Sequence, residues 1–67
     1  MMAENMATAL ANEIERNREL LDVYKQIPTG GFGATMIDAD IKFAINALAS
    51  GDVIEILKAY ERMKDNE

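Results

Sequence analysis

AENMATALANEIERNRELLDVYKQ, residues 3–26, is the stretch that decides the fold. It has no Gly or Pro and consists mostly of good helix formers, so it predicts one long helix. Ala3, Ala7, Leu10, Ile14, Asn17, Leu21 and Tyr24 recur at 4-3 spacing, the seam of a helix that packs on other helices. Met6, Leu20 and Ile27 widen that stripe. Glu13, Glu15, Arg16, Arg18, Glu19 and Asp22 fall on the other side and read as a solvated face. Asn17 stands on the seam, where a buried Asn fixes register and partner number; the alternative is that it caps an exposed edge.

Pro28 pushes Ile27 out of the helical region and ends the first helix. Residues 28–34 form the only glycine-rich segment, expected as a loop. A second helix is predicted over 35–49, with Thr35 and Asp38 at the spacing of a capping box. Its apolar stripe is Ile37, Ile41, Ala44 and Leu48, with Phe43 and Ile45 on the flanks, and Ser50-Gly51 closes it. Asp52 is a good N-cap for a third helix over 53–65, and Glu55 follows at the capping distance. Val53, Ile56, Leu57, Tyr60 and Met63 give its apolar positions, and Lys58, Arg62 and Lys64 lie towards its C-terminal end, where the dipole favours cations. No segment alternates as a strand would. The expectation is an all-α, three-helix protomer, one long helix plus a helical hairpin, forming a single domain over 1–67.

The chain has 67 residues, 49% of them hydrophobic, which is enough for one small core. It has no Cys and no His. Disulfides, thiolate metal sites and the usual general base near pH 7 are therefore excluded. Any nucleophile would have to be a Ser or Thr, and Ser50 is already explained by its turn, so the expectation is a non-enzyme with no catalytic residue, cofactor or metal. Twelve acids against seven bases give a net charge of -5, which opposes direct DNA binding. The longest uncharged run, Gln26 to Ile37, is too short to span a bilayer, so no membrane partner is expected. Glu4 and Asn5 stand where a signal peptide would be basic and then apolar, so the expected compartment is the cytoplasm.

A helix of about 24 residues is roughly 36 Å long, and one of about 15 is roughly 22 Å. A short hairpin would leave Met6, Leu10 and Ile14 partly bare. This predicts a homo-oligomeric helical bundle whose interface is Met6, Leu10, Ile14, Asn17 and Leu21.

The string Ile27-Pro28-Thr29-Gly30-Gly31-Phe32-Gly33-Ala34-Thr35-Met36-Ile37-Asp38, then Ala49-Ser50-Gly51-Asp52 and Leu57-Lys58-Ala59-Tyr60, resembles a group of short accessory proteins of phages and prophages. Their shared pattern is Pro-x-Gly-x-Phe-Gly-x-x-Met-Ile, an acidic alanine-rich helix, Ala-Ser-Gly-Asp, and a final helix with Ala-Tyr. The resemblance covers residues 24–64 and implies a mobile-element accessory protein at work in a host cytoplasm.

Gly30, Gly31 and Gly33 precede the expected second helix, where unshielded backbone amides favour an anion. Thr29 and Thr35 add hydroxyls, Lys25 and Lys42 add charge if the loop folds back, and Tyr24 or Phe32 offers a ring to stack on a base. No Gly-Lys-Ser/Thr follows, and Met36 stands where a dinucleotide fingerprint needs its third glycine. The alternative is a plain connector whose glycines serve positive φ and whose Phe32 plugs the core. Asp38 and Asp40 read as helix N-terminal charges rather than metal ligands. Two functions follow as expectations. One is sequestration of a phosphate-bearing small molecule, such as a cyclic nucleotide signal of host defence, at subunit interfaces. The other is inhibition or adaptation of a host protein through an exposed apolar helix face.

Overall fold

A computed structural model describes residues 2–66, and side chains from Met6 onward. Met1 therefore lies outside the described residues, and the seam position Ala3 outside the described side chains. Three helices follow one another: α1 (Met2–Gln26), α2 (Gly31–Ser50) and α3 (Val53–Lys64). No strand occurs among the described residues, and no described helix is long and apolar enough to cross a membrane. The three helices pack side by side into a rod of 42 × 16 × 15 Å.

The seam of α1 forms as its spacing requires. Leu10, Ile14, Asn17 and Leu21 are buried against Ile37, Ile41, Ala44 and Ala47 of α2 and Ile56, Ala59 and Met63 of α3. Each large aliphatic side chain in this core contributes about 1.5–3 kcal/mol by leaving water. The stripe expected to face a second copy is thus the protomer's own core. The reason is the length of α2, which has 20 residues instead of the expected fifteen or so. At roughly 30 Å it reaches far enough along α1 to cover Leu10 and Ile14. Met6 is half-buried against the same core.

The additional length of α2 comes from its N-terminus. Gly31, Phe32, Gly33 and Ala34, expected in a loop, form the first turn, and the connection shrinks to residues 27–30. Gly30 is the N-cap, with φ -89° and no side-chain cap. Two backbone bonds close the turn: Gly30 N–H donates to the Ile27 carbonyl and Ala34 N–H to the Gly30 carbonyl, each at 2.9 Å. The Thr35–Asp38 capping box does not form, because both residues lie inside the helix. Thr35 Oγ1 donates instead to the Gly31 carbonyl at 3.0 Å, and Asp38 pairs with Lys42 at 2.9 Å. Nor do the loop glycines serve positive φ: among the described residues only Gly51 does, at φ 71°. Gly30 and Gly33 serve close approach. A Cβ at Gly30 would run into the Tyr24 carbonyl oxygen, and one at Gly33 would lie 2.5–2.6 Å from the Tyr24 ring.

The α2–α3 corner follows the sequence closely. Gly51 N–H reaches the Ala47 and Leu48 carbonyls at 3.2 and 3.3 Å, the left-handed helix stop for which glycine is suited. Asp52 Oδ1 accepts from the Ile54 and Glu55 amides at 2.9 and 3.4 Å. The Asp52 N–H goes to Ser50 Oγ at 3.1 Å, not to Glu55, and Glu55 pairs with Lys58 at 3.4 Å.

A buried polar node ties the C-terminal end of α3 to both other helices. Asn17 Nδ2 donates to the Glu13 carbonyl at 2.8 Å and to the Met63 carbonyl at 3.3 Å. Arg16 Nη2 donates to the same Met63 carbonyl at 2.9 Å. Asn66 Nδ2 joins Asn17 Oδ1 at 2.9 Å to Asp40 Oδ2 at 3.1 Å. Asp40 Oδ1 accepts from Arg62 at 2.9 Å. Asn17 is therefore fully buried within the protomer and does not cap an exposed edge. Asp40 is a core carboxylate ten residues into α2's sequence, not a helix N-terminal charge. No buried side-chain polar atom among the described residues lacks a partner, as a low-dielectric interior demands.

Candidate functional site

The candidate ligand residues fall at one end of the rod, the tip where α1 turns into α2, with one exception. Lys42 lies eleven residues beyond Gly31, about 16 Å along the helix axis. Its ammonium is committed to Asp38, so it does not belong to the tip.

The rest divide around the hairpin. Lys25 lines an open groove between α1 and α2 with Leu21, Ala34, Thr35 and Asp38, about 260 Å³ in volume. Tyr24 faces a separate hollow of about 150 Å³ with Gly33, Met36, Ile37, Asp65 and Asn66. Thr29 and Gly30 belong to the connection, Gly31 and Phe32 open α2, and none of the four lines either hollow. Thr29 is exposed, and the Thr35 hydroxyl is spent on the Gly31 carbonyl. Phe32 does not plug the core: its side chain is 80% exposed.

What the tip offers chemically follows from this placement. The amides of Gly31, Phe32 and Gly33 precede the first bond of α2 and meet no side-chain cap. Their partial positive charge points out of the helix end. Gly31 has open space where a Cβ would be, so another molecule can approach the backbone there. Both hollows are open and smaller than the roughly 300–1,000 Å³ of ordinary small-molecule sites. A third hollow of about 240 Å³, lined by Phe43, Asn46, Ala47, Ser50 and Glu55, lies at the opposite end and gathers no comparable set of donors.

Elsewhere the ion pairs join residues three or four apart on one helix, Asp40–Arg62 excepted. Lys64 is held above the ordinary lysine value, chiefly by its hydrogen bond to Glu61 and by that carboxylate's charge. Among the described residues no three His, Cys, Asp or Glu side chains converge as metal ligands. Asp38 and Asp40 each take a different partner.

Sequence reasoning missed the apolar character of the tip. Val23, Ile27 and Met36 are exposed, as is Phe32. Ile27 is expected to widen α1's apolar stripe and is exposed instead, while Val23 carries no expectation. The signal available was the stretch from Gln26 to Ile37, uncharged yet rich in large apolar side chains.

No protein family matches the chain, and neither a curated protein nor a solved structure does.

Proposed function

We propose that the chain is a small non-enzymatic binding protein that sequesters a phosphate-bearing nucleotide, of the kind used as a cyclic signal in host defence, in a site that neighbouring copies complete. The observation that carries the reading is the open start of α2. Three amides without a side-chain cap stand beside an aromatic ring, Phe32, that is 80% exposed. Amides at a helix start suit a phosphate, and an unburied ring suits a base. Lys25, next to the turn, supplies a cation. The hollows at the tip are too shallow to enclose a nucleotide, so the reading needs a second copy to close them.

Calorimetric titration and thermal shift against cyclic dinucleotides, mononucleotides and pyrophosphate test this. A true ligand at a hundredfold excess over its Kd adds about 2.7 kcal/mol of stability. Lys25→Ala and Phe32→Ala should each weaken binding tenfold or more without unfolding the protein. Gly31→Val is the sharper probe: the fold has room for the side chain, so lost binding at an unchanged melting temperature reports blocked approach to the amides. No shift with any nucleotide would overturn the reading.

A second reading, an inhibitor or adaptor of a host protein, is favoured by exposed Val23, Ile27 and Met36. A chain silent to nucleotides, and losing a defined host partner on Met36→Glu, would put that reading first.

A further inference from the structure

We infer that the Asn66 side chain fills a built-in site for an amino or primary amide group, and that a small ring compound bearing such a group takes its place. The two residues after α3, Asp65 and Asn66, line the hollow of about 150 Å³ beside Tyr24, Gly33, Met36 and Ile37. Asn66 also reaches into the polar node. Its carboxamide nitrogen donates to Asn17 Oδ1 at 2.9 Å and to Asp40 Oδ2 at 3.1 Å.

The surroundings fix the chemistry of this acceptor pair. Asn17 Nδ2 is taken by the Glu13 and Met63 carbonyls, so the Asn17 oxygen is the atom left for Asn66. Asp40 Oδ1 accepts from Arg62 at 2.9 Å, which leaves Oδ2 for a second donor. Two oxygens, one of them from an acidic side chain, therefore converge on one nitrogen. A hydroxyl has one hydrogen and satisfies one of them, whereas an NH2 group satisfies both. Asn17 is wholly buried and Asp40 is 6% exposed, so an occupant with no hydrogen to donate would strand both acceptors.

The hollow supplies the rest of the site. Ile37 precedes Asp40 by one helical turn and Tyr24 follows Asn17 by two, so the hollow's walls adjoin the acceptor pair along α1 and α2. Asn66 belongs to both, and neither Asn17 nor Asp40 lines the hollow while it is in place. With Asn66 swung out, hollow and pair form one recess, apolar along Met36, Ile37 and the Tyr24 ring and polar where the carboxamide was. An apolar cavity of about 150 Å³ takes one benzene-sized ring, and this hollow has that volume. The displaced segment is lightly held. Lys64 and Asp65 are exposed, and the last buried side chain of α3 is Met63. The Met63 carbonyl keeps Arg16 and Asn17, so residues 65 and 66 move without α3. Segments with so few buried contacts open at low cost. Asn66 is thus an internal competitor, exchanged only for an equivalent donor.

The recess is separate from the amides at α2's start and stands whether or not those bind a nucleotide. Titration of the isotope-labelled chain with benzamide, and with acetophenone as the isostere that has CH3 for NH2, tests it. In Asn66→Ala, benzamide should give saturable shifts at Tyr24, Gly33, Ile37 and Asp40. It should bind at least about tenfold tighter than acetophenone, the worth of the hydrogen bonds the isostere lacks. In the parent, benzamide should bind at least about tenfold more weakly than in Asn66→Ala, because it must displace the carboxamide. Its saturation should move the Asn66 side-chain NH2 signals to the positions of a solvated amide. Asn66→Asp cannot donate and sets a carboxylate against Asp40; it should match Asn66→Ala, and it carries the test if the alanine variant loses its fold. Equal binding of benzamide and acetophenone, shifts away from the Tyr24 hollow, Asn66 signals unmoved at saturation, or no saturable binding in either variant would each overturn the inference.

Discussion

Asn17→Ala removes the centre of the polar node while leaving the apolar core untouched. The Asn17 side chain makes three hydrogen bonds, donating to the Glu13 and Met63 carbonyls and accepting from Asn66. Each such bond is worth about 1 kcal/mol net. None of the partners is stranded by the change: Met63 keeps Arg16, and Asn66 keeps Asp40. The loss is then the bonds themselves plus a small void, about 2–3 kcal/mol. A chain of this size has a total stability of about 3–10 kcal/mol, and each kcal/mol moves Tm by about 4–8 °C. Urea and thermal unfolding followed by circular dichroism should show a drop of about 10–20 °C with an unchanged denaturant slope. Asp40→Asn probes the same node. It keeps the shape but removes the charge opposite Arg62 and one of the two oxygens that accept from Arg62 and Asn66, so its cost is about 1–3 kcal/mol. An Asn17→Ala variant within about 0.5 kcal/mol of the parent would refute the node as the lock on α3.

The two glycines in α2's first turn should respond oppositely to alanine. Gly31→Ala should raise stability by about 0.5–1 kcal/mol, since its φ is not positive and its Cβ meets nothing. Gly33→Ala should lower it by about 1–2 kcal/mol through contact with the Tyr24 ring, and Tyr24→Ala in the same chain should cancel most of that interaction; a double-mutant cycle by urea titration checks both. Asp52→Ala should cost about 1 kcal/mol by uncapping α3, and Gly51→Ala a similar amount at its left-handed φ, both measurable as Tm.

The three helices were legible because their signals are local. The 4-3 seam of α1, Pro28, Gly51 and the Asp52 cap each act through neighbours within one or two turns, and the structure uses all of them. The start of α2 was not legible for the opposite reason. Glycine disfavours a helix when judged alone, but Gly33 gains the Tyr24 ring and Gly30 lets the turn close against Tyr24's carbonyl. Both contacts join residues six to nine apart across a turn whose geometry the sequence does not state. That one displaced boundary lengthened α2 and moved Leu10 and Ile14 from an expected subunit interface into the core. It also shifted the bare apolar surface from α1's N-terminal half to the tip. Of the candidate site, the cluster from Tyr24 to Thr35 was legible as one piece of chain, and its division into two hollows was not. Lys42 was misplaced because an eleven-residue gap looks short in sequence and is about 16 Å along a helix.

The central claim is that the tip, and no other part of the molecule, is the binding end. Backbone amide shifts of the isotope-labelled chain, followed while a cyclic dinucleotide is titrated in, test it most directly. Saturable shifts centred on Gly31, Phe32, Gly33 and Thr35, lost in Gly31→Val, are the expected result. No saturable shift, or shifts confined to α3 and the Gly51 corner, would contradict it.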